Sequence, residues 1–155
     1  MGRGLTMLEN CQRAVPLDLA PLGQFLRRAN REIGVTGEVV FVRFVTDGEM
    51  TRLNGKFRKK AKTTDVLSFP SEERSQPSGL PERARALRGR FLGDIAISPS
   101  VARRNAKRFG RSLSEEICLL MLHGVLHLLG YDHETDRGEM ERTEARLRRR
   151  LGLRG

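Results

Sequence analysis

The chain has 155 residues, of which 38% are hydrophobic and 31% are charged. This composition is typical of one folded domain, because it is too apolar for a disordered chain and too short for two ordinary domains. The 29 basic and 19 acidic residues give a formal net charge of +10. Such an excess favours a nucleic acid or another anionic partner, although arginine enrichment can also reflect genome composition.

Membrane and secreted classes are disfavoured. The longest apolar stretch, residues 117–129, is shorter than the ~20 residues of a membrane-spanning helix, and two histidines interrupt it. The first residues lack the basic and then apolar pattern of a secretory signal. For Cys11 and Cys118 we expect buried thiols in a reducing compartment rather than a disulfide or a cysteine zinc site. These features predict a cytoplasmic protein without a membrane partner.

Hydrophobic periodicity predicts helices and strands that are mixed along the chain. The helices, most of them marked by a capping or stop residue, are predicted over residues 18–33, 46–57, 99–110, 112–130 and 135–151. Runs rich in β-branched or aromatic residues predict strands over residues 39–45, 65–69 and 91–97. Residues 71–90, rich in Ser, Pro, Arg and Gly, are predicted to form a long flexible loop.

These elements predict a single α/β domain of the mixed α+β kind over residues 1–155. We expect one mostly parallel four-stranded sheet packed with helices. The helix over residues 112–130 is apolar nearly all round, so it is predicted to be the central, buried one.

The three histidines of the chain, His123, His127 and His133, are close together in the sequence. The spacing of His123 and His127 puts both rings on one face of the predicted helix, and Gly130 is expected to end the helix so that His133 can join them. Three neutral imidazoles with one open position are typical of a catalytic zinc site, which predicts one Zn²⁺ per chain. The alternative, buried or capping histidines, accounts for a pair but not for all three in this pattern.

The same spacing occurs in the metzincin zinc proteases, whose motif is H-E-x-x-H-x-x-G-x-x-H. One position differs, because Gly124 stands where those proteases carry the glutamate that serves as general base. Peptide hydrolysis needs such a base to activate water and to protonate the amine leaving group. Proteolysis by the usual arrangement is therefore disfavoured, and we expect a different class of substrate.

Several further motifs accompany the histidine segment 123–133 in a fixed order. They are Leu53-Asn54, Phe57-Arg58, Thr64-Asp-Val-Leu-Ser-Phe-Pro70 and Leu92-Gly-Asp-Ile95. On these residues the chain resembles the YbeY family of bacterial single-strand-specific, metal-dependent endoribonucleases, the ribosomal RNA maturation factors. Thr63 departs from the family, which usually has proline there, and this difference affects only the entry into a strand.

The resemblance implies a zinc-dependent RNase that takes part in ribosomal RNA processing, especially at the 3′ end of the small-subunit RNA, and in ribosome quality control. It also implies that His123, His127 and His133 bind the metal and that the family's functional arginine is Arg58. The implied partners are single-stranded or ribosomal RNA and the ribosome or its proteins. The oligomeric state stays open.

A basic run precedes the second predicted strand. Residues 52–62 contain no acidic residue and six basic ones, namely Arg52, Lys56, Arg58, Lys59, Lys60 and Lys62. Such a run is often only a solvated face, but beside a metal cleft it would bind the phosphates that flank a scissile bond. For Arg58 we expect stabilisation of charge on the scissile phosphate through its planar donor fork, and the alternative is a surface salt bridge.

Carboxylates around the third histidine are candidates either to orient a ligand imidazole or to serve as the general base, namely Asp132, Glu134, Asp136, Glu139 and Glu141, and Asp94 is a further candidate base. A metal-bound hydroxide that needs no protein base is the alternative. The chain has no Trp, one Tyr and seven Phe, and most of the phenylalanines are expected in the core, so sequence-selective base readout is not expected.

The sequence favours a zinc-dependent, single-strand-specific endoribonuclease. Two alternatives stay open. A zinc amide hydrolase, similar to a metalloprotease, is disfavoured by Gly124. A non-catalytic ribosome-assembly factor with structural zinc is disfavoured because three histidines leave a metal position open.

Overall fold

The computed structural model describes residues 5–35, 39–57, 65–70, 91–131 and 136–153. The strands in this part of the chain are β1 (Leu5–Asn10), β2 (Val39–Phe44), β3 (Val66–Pro70) and β4 (Phe91–Ile97). The helices are α1 (Leu19–Ile33), α2 (Asp47–Phe57), α3 (Pro99–Phe109), α4 (Leu113–Leu128) and α5 (Glu139–Leu151). No helix in the described ranges is both long and apolar enough to cross a membrane.

The strands form one sheet in the order β1-β2-β4-β3. β2 pairs parallel with β1 and β4, whereas β3 pairs antiparallel with β4. The prediction of a mostly parallel four-stranded sheet in an α/β fold is therefore confirmed. Sequence patterns located three of the strands and missed β1, because its residues LTMLEN lack the β-branched and aromatic run that marks the others.

Helices cover both faces of the sheet. On one face, side chains of β2 and β4 form the larger core with α1, α4 and α5. On the other face, Met50 of α2 packs in a smaller cluster with Leu67 and Phe69 of β3. Ser68 lies between those two residues and points the opposite way, where its hydroxyl donates a hydrogen bond of 3.3 Å to the Gly124 carbonyl of α4. The sheet thus holds α4 by apolar packing and by this hydrogen bond.

Three side-chain hydroxyls begin helices where the sequence predicts them. The side-chain oxygens of Thr46, Ser98 and Ser112 each accept a hydrogen bond from the backbone N–H of the residue three positions later, at 3.1, 3.2 and 3.1 Å. Gly34 and Gly110 end α1 and α3 with φ angles of 96° and 69°, which glycine adopts readily. The capping hydroxyls thus mark where these helices begin, and the glycines mark where they end.

Helix α5 begins later than the sequence predicts. The predicted start near Thr135 lies outside the described residues, and the helix begins at Glu139. The two carboxylate oxygens of Asp136 accept the backbone N–H groups of Gly138 and Met140, both at 2.9 Å. Gly138 has a left-handed φ of 90°, which separates the preceding residues from the helix. Asp136 therefore caps the N-terminus of α5, although it lies three residues before the first helical residue.

The two cysteines are free thiols in different environments. Cys118 is buried in α4, and burial raises its pKa to about 12. Cys11 is exposed, so the prediction of two buried thiols is wrong for this residue. Its position explains the difference, because Cys11 directly follows β1 at the edge of the sheet.

Helix α4 and strand β4 are in close contact at Gly124. A Cβ atom at this position would lie 2.8 Å from Cδ1 of Ile95 and 3.1 Å from its Cγ1 and Cγ2 atoms. Ile95 is 1% exposed, and its branched side chain has little freedom to move away. Glycine at position 124 is therefore a packing requirement of the fold.

We expect Gly124→Ala to lower the free energy of unfolding by about 1 kcal/mol. The helix gains about 1 kcal/mol when alanine replaces glycine, but overpacking against Ile95 costs about 1–3 kcal/mol. Ile95→Val removes the Cδ1 atom, so the alanine should destabilise an Ile95→Val protein less than it destabilises the wild type. Urea unfolding of the wild type, both single variants and the double variant measures this coupling, and additive free energies would contradict it.

Candidate active site

His123 and His127 lie one helical turn apart on the same face of α4, and both are partly exposed. Their Nε2 atoms are 3.0 Å apart, and their ring centroids are 4.6 Å apart with an angle of 78° between the ring planes. Two nitrogens that each bind one tetrahedral ion at about 2.0–2.1 Å are about 3.4 Å apart. The two Nε2 atoms therefore lie at hydrogen-bond distance, and a further separation of about 0.4 Å would let both bind one metal ion.

The third predicted ligand, His133, lies outside the described residues. Within the ranges that the structure describes, no group of three or more His, Cys, Asp or Glu side chains could hold a metal. The predicted helix stop is confirmed, because Gly130 has a φ of 100° and the Tyr131 N–H donates to the Leu126 carbonyl at 3.1 Å. The chain thus turns at the end of α4, directly before the segment that carries His133.

Glu144 of α5 lies behind His123. Its Oε1 is 3.5 Å from Nδ1 of His123, and its Oε2 accepts a hydrogen bond of 3.2 Å from Arg148. Burial raises the pKa of Glu144, but the hydrogen bond and charge of His123 and the charge of Arg148 outweigh it and hold the pKa below the ordinary value. An ionised carboxylate at Nδ1 favours the imidazole form with its proton on Nδ1, and this form directs an Nε2 lone pair towards His127.

Sequence reasoning did not single out Glu144, although a signal for it exists. In the predicted last helix, Met140, Leu147 and Leu151 form an apolar stripe at helical spacing, and all three are buried. Glu144 lies on the same stripe, four residues after Met140 and three before Leu147. A carboxylate on the apolar face of a helix needs a buried partner, and here the partner is His123.

An open cleft of about 250 Å³ adjoins His123. Apolar side chains of β3 and α4 form part of its lining, and the polar part consists of Asp65, Arg111, Glu116, His123, Glu144 and Arg148. Each arginine is paired with a glutamate, Arg111 with Glu116 at 2.8 Å and Arg148 with Glu144 at 3.2 Å. The described lining of the cleft therefore has three carboxylates and two guanidinium groups, without an excess of positive charge.

The predicted basic run is only partly described. Arg52 is paired with Glu49 through two hydrogen bonds of 3.0 and 2.6 Å on the exposed surface of α2, and Lys56 is exposed on the same helix. Arg58, Lys59, Lys60 and Lys62 lie outside the described residues. The run leads directly into Asp65, which lines the cleft beside His123.

The candidates for the general base differ in their surroundings. Both oxygens of Asp136 cap α5, and an oxygen of Glu139 accepts the Arg137 N–H at 2.8 Å. Asp94 is buried in β4, and Glu141 is exposed on α5. Asp132 and Glu134 lie outside the described residues. Asp136 is thus a structural residue in this fold, and the base stays a prediction.

Comparisons with known proteins match this fold and its motifs. The family described as "Endoribonuclease YbeY" matches residues 19–152. An endoribonuclease YbeY of Solibacter usitatus is 46% identical over 130 residues, which are 84% of this chain and 77% of that protein. An endoribonuclease YbeY of Nautilia profundicola is 49% identical over 107 residues, or 69% of this chain and 68% of that protein. The solution structure of TM1509 from Thermotoga maritima superimposes with a TM-score of 0.61 at 26% identity, covering 95% of this chain and 89% of that one.

We expect His123 of the metal-free protein to carry its neutral-state proton on Nδ1, because Glu144 accepts it. A long-range ¹H–¹⁵N correlation spectrum of histidine-labelled protein, recorded near pH 8, distinguishes the two imidazole forms. Glu144→Ala should shift His123 towards a mixture of both forms. Glu141→Ala, an exposed carboxylate of the same helix, is the control. If the His123 form is the same in the wild type and in Glu144→Ala, the assigned role of Glu144 is wrong.

Proposed function

Because this chain belongs to the endoribonuclease YbeY family, we propose that it is a zinc-dependent endoribonuclease that cleaves single-stranded ribosomal RNA. In this proposal it matures the 3′ end of the small-subunit RNA, contributes to ribosome quality control, and acts in the cytoplasm with the ribosome or its proteins as partners. The observation that supports the metal centre most directly is the 3.0 Å separation of the His123 and His127 Nε2 atoms.

His123, His127 and His133 would hold the zinc ion. Their chemistry suits it, because neutral imidazoles are common zinc ligands and three of them leave a position for substrate or water. Chain connectivity supports His133, since only one residue separates it from Tyr131 at the end of α4. When bound, zinc would act as a Lewis acid and make water a better nucleophile near neutral pH.

Side chains next to the proposed zinc site orient the ring of one proposed ligand, His123. Glu144 holds Nδ1 of His123, and carboxylates in this position fix the imidazole form and increase its basicity as a ligand. Arg148 in turn holds the second oxygen of Glu144 at 3.2 Å. This chain of contacts runs from α5 to α4 and restricts the rotation of the His123 ring.

The packing at Gly124 disfavours the alternative of a zinc amide hydrolase. A side chain at this position would point at Ile95 in the sheet, where a Cβ atom alone would lie 2.8 Å from Cδ1. A glutamate base at this position would therefore crowd the sheet, which disfavours the arrangement of the protease motif. The site lacks that route for protonating an amine leaving group, whereas an RNA phosphodiester has an alkoxide leaving group.

We propose that Arg58 stabilises the negative charge on the scissile phosphate. The flanking phosphates would be bound by the other basic residues of the run, Arg52, Lys56, Lys59, Lys60 and Lys62. Two observations support this assignment. The run precedes Asp65 in the lining of the cleft. The arginines in the described lining of the cleft are paired with glutamates, so an RNA backbone needs further cations, and among the assigned ones Arg52 would exchange its Glu49 partner for a phosphate.

Metal-dependent cleavage of RNA tests the proposal. Zinc-loaded protein, chelator-treated protein and His127→Ala are each incubated with a ribosomal RNA precursor and with a protein substrate. We expect the zinc-loaded protein alone to cleave RNA, and added zinc should restore the chelated protein but not His127→Ala. Cleavage of the protein substrate would instead support an amide hydrolase, and RNA binding without cleavage would support an assembly factor.

Arg58→Ala should lower the turnover of RNA cleavage by about 100- to 1,000-fold, the usual effect of removing a group that stabilises charge in the transition state. The measurement compares variant and wild type at matched zinc content and saturating RNA. Arg27→Ala, an exposed arginine of α1, is the control for a general loss of positive charge. Unchanged turnover in Arg58→Ala would exclude the proposed role.

A further inference from the structure

One phenylalanine is exposed among those whose side chains the structure describes. Phe109, the last residue of α3, is 58% exposed. The other phenylalanines whose side chains the structure describes are buried, namely Phe25, Phe41, Phe44 and Phe69. A ring left in water contributes little to the stability of the fold and stays available for contact with another molecule.

Two guanidinium groups flank the Phe109 ring. The Cζ atoms of Arg108 and Arg111 lie 5.5 and 5.3 Å from its centroid, within the range of cation–π interactions. Arg111 is fixed, because it donates a hydrogen bond of 2.8 Å to the buried Glu116. Arg108 is exposed, and no carboxylate in the described ranges forms an ion pair with it. We call these three residues, Arg108, Phe109 and Arg111, the Phe109 platform.

The Phe109 platform is continuous with the candidate active site. Arg111 lines the same cleft as His123. Its partner Glu116 precedes His123 by seven residues on α4, which is two helical turns or about 10 Å along one face. Arg111 of the platform therefore lies at one end of the cleft and His123 at the other, a separation that a short single-stranded segment of RNA can span.

We propose that the Phe109 platform stacks one unpaired base of the RNA that the proposed endoribonuclease cleaves, an inference that rests on the proposed function. The base would lie on the Phe109 ring, with Arg111 held in place by Glu116. Arg108 would move from the ring to the adjacent phosphate. Stacking on an aromatic ring is tolerant of sequence, because every base has a π face, and it needs no hydrogen-bond readout.

The surroundings of Phe109 favour RNA over a protein partner. Protein interfaces have a contiguous apolar core, whereas Leu129 is the other large hydrophobic residue exposed among the described ones. Leu129 follows the opposite end of α4, so the two do not form one patch. The exposed residues that precede Phe109 directly on α3, Lys107 and Arg108, are instead basic. A single ring among cations is complementary to one base and its phosphates.

Binding of RNA without cleavage tests the platform. The probe is a fluorescent single-stranded RNA of about ten nucleotides, titrated at several salt concentrations with chelated protein, which lacks the proposed zinc and should leave the RNA intact. Phe109→Ala and Phe109→Leu should weaken binding about 5- to 100-fold without changing the salt slope. Arg108→Ala should reduce that slope by about 1. Leu129→Ala is the matched control for losing an exposed apolar side chain and should bind as the wild type does.

A second variant reports stacking directly. The chain has no tryptophan, so Phe109→Trp introduces a single indole whose fluorescence a stacked base quenches. We expect quenching that saturates with RNA, together with an affinity near that of the wild type. Gln24→Trp, on the exposed face of α1, should show no saturable quenching.

The outcomes separate this inference from the proposed function. The platform alone would be overturned if the wild type binds and cleaves RNA while Phe109→Leu keeps the wild-type affinity and Phe109→Trp shows no quenching. A wild type that neither binds nor cleaves RNA would overturn both. Variants that bind RNA normally but lose a protein partner would show that Phe109 is a protein contact and would also overturn the inference.

Discussion

The close contact between α4 and the sheet at Gly124 determines the geometry of the candidate site. An almost wholly apolar helix is buried on nearly all sides, so the partly exposed His123 and His127 lie on the one strip that its neighbours leave open. Because Gly124 directly follows His123 and touches Ile95, the position of the histidine backbone depends on the core. Rigid elements in this way fix the positions of His123 and His127 relative to each other.

What the sequence predicts well depends on neighbours along the chain. The capping hydroxyls, the helix stop at Gly130 and the convergence of His123 with His127 all follow from spacings of a few residues. The contact of Glu144 with His123 joins residues 21 apart and requires α5 to fold back on α4. The formation of strand β1 also depends on distant residues. Its own side chains do not favour a strand, and it becomes one by pairing with β2.

The distribution of charge differs between the cleft and the rest of the surface. The chain carries a net charge of +10, yet the arginines that line the cleft are paired with glutamates. The basic excess can attract an RNA over distances comparable to the Debye length, whereas the cleft itself is close to neutral. In the proposed enzyme, an RNA would therefore be held mainly by groups outside the cleft, with local contacts at its ends rather than strong binding at the metal.

The Asp136 cap has a thermodynamic consequence for the proposed zinc site. Tyr131 at the end of α4 and Asp136 at the cap of α5 are both held by hydrogen bonds, and the proposed ligand His133 lies between them in the sequence. Two fixed residues so close in the sequence limit the chain entropy that binding of a third ligand would cost. Because α5 carries both this anchor and Glu144, zinc affinity and the docking of α5 on α4 would be linked, so that each stabilises the other.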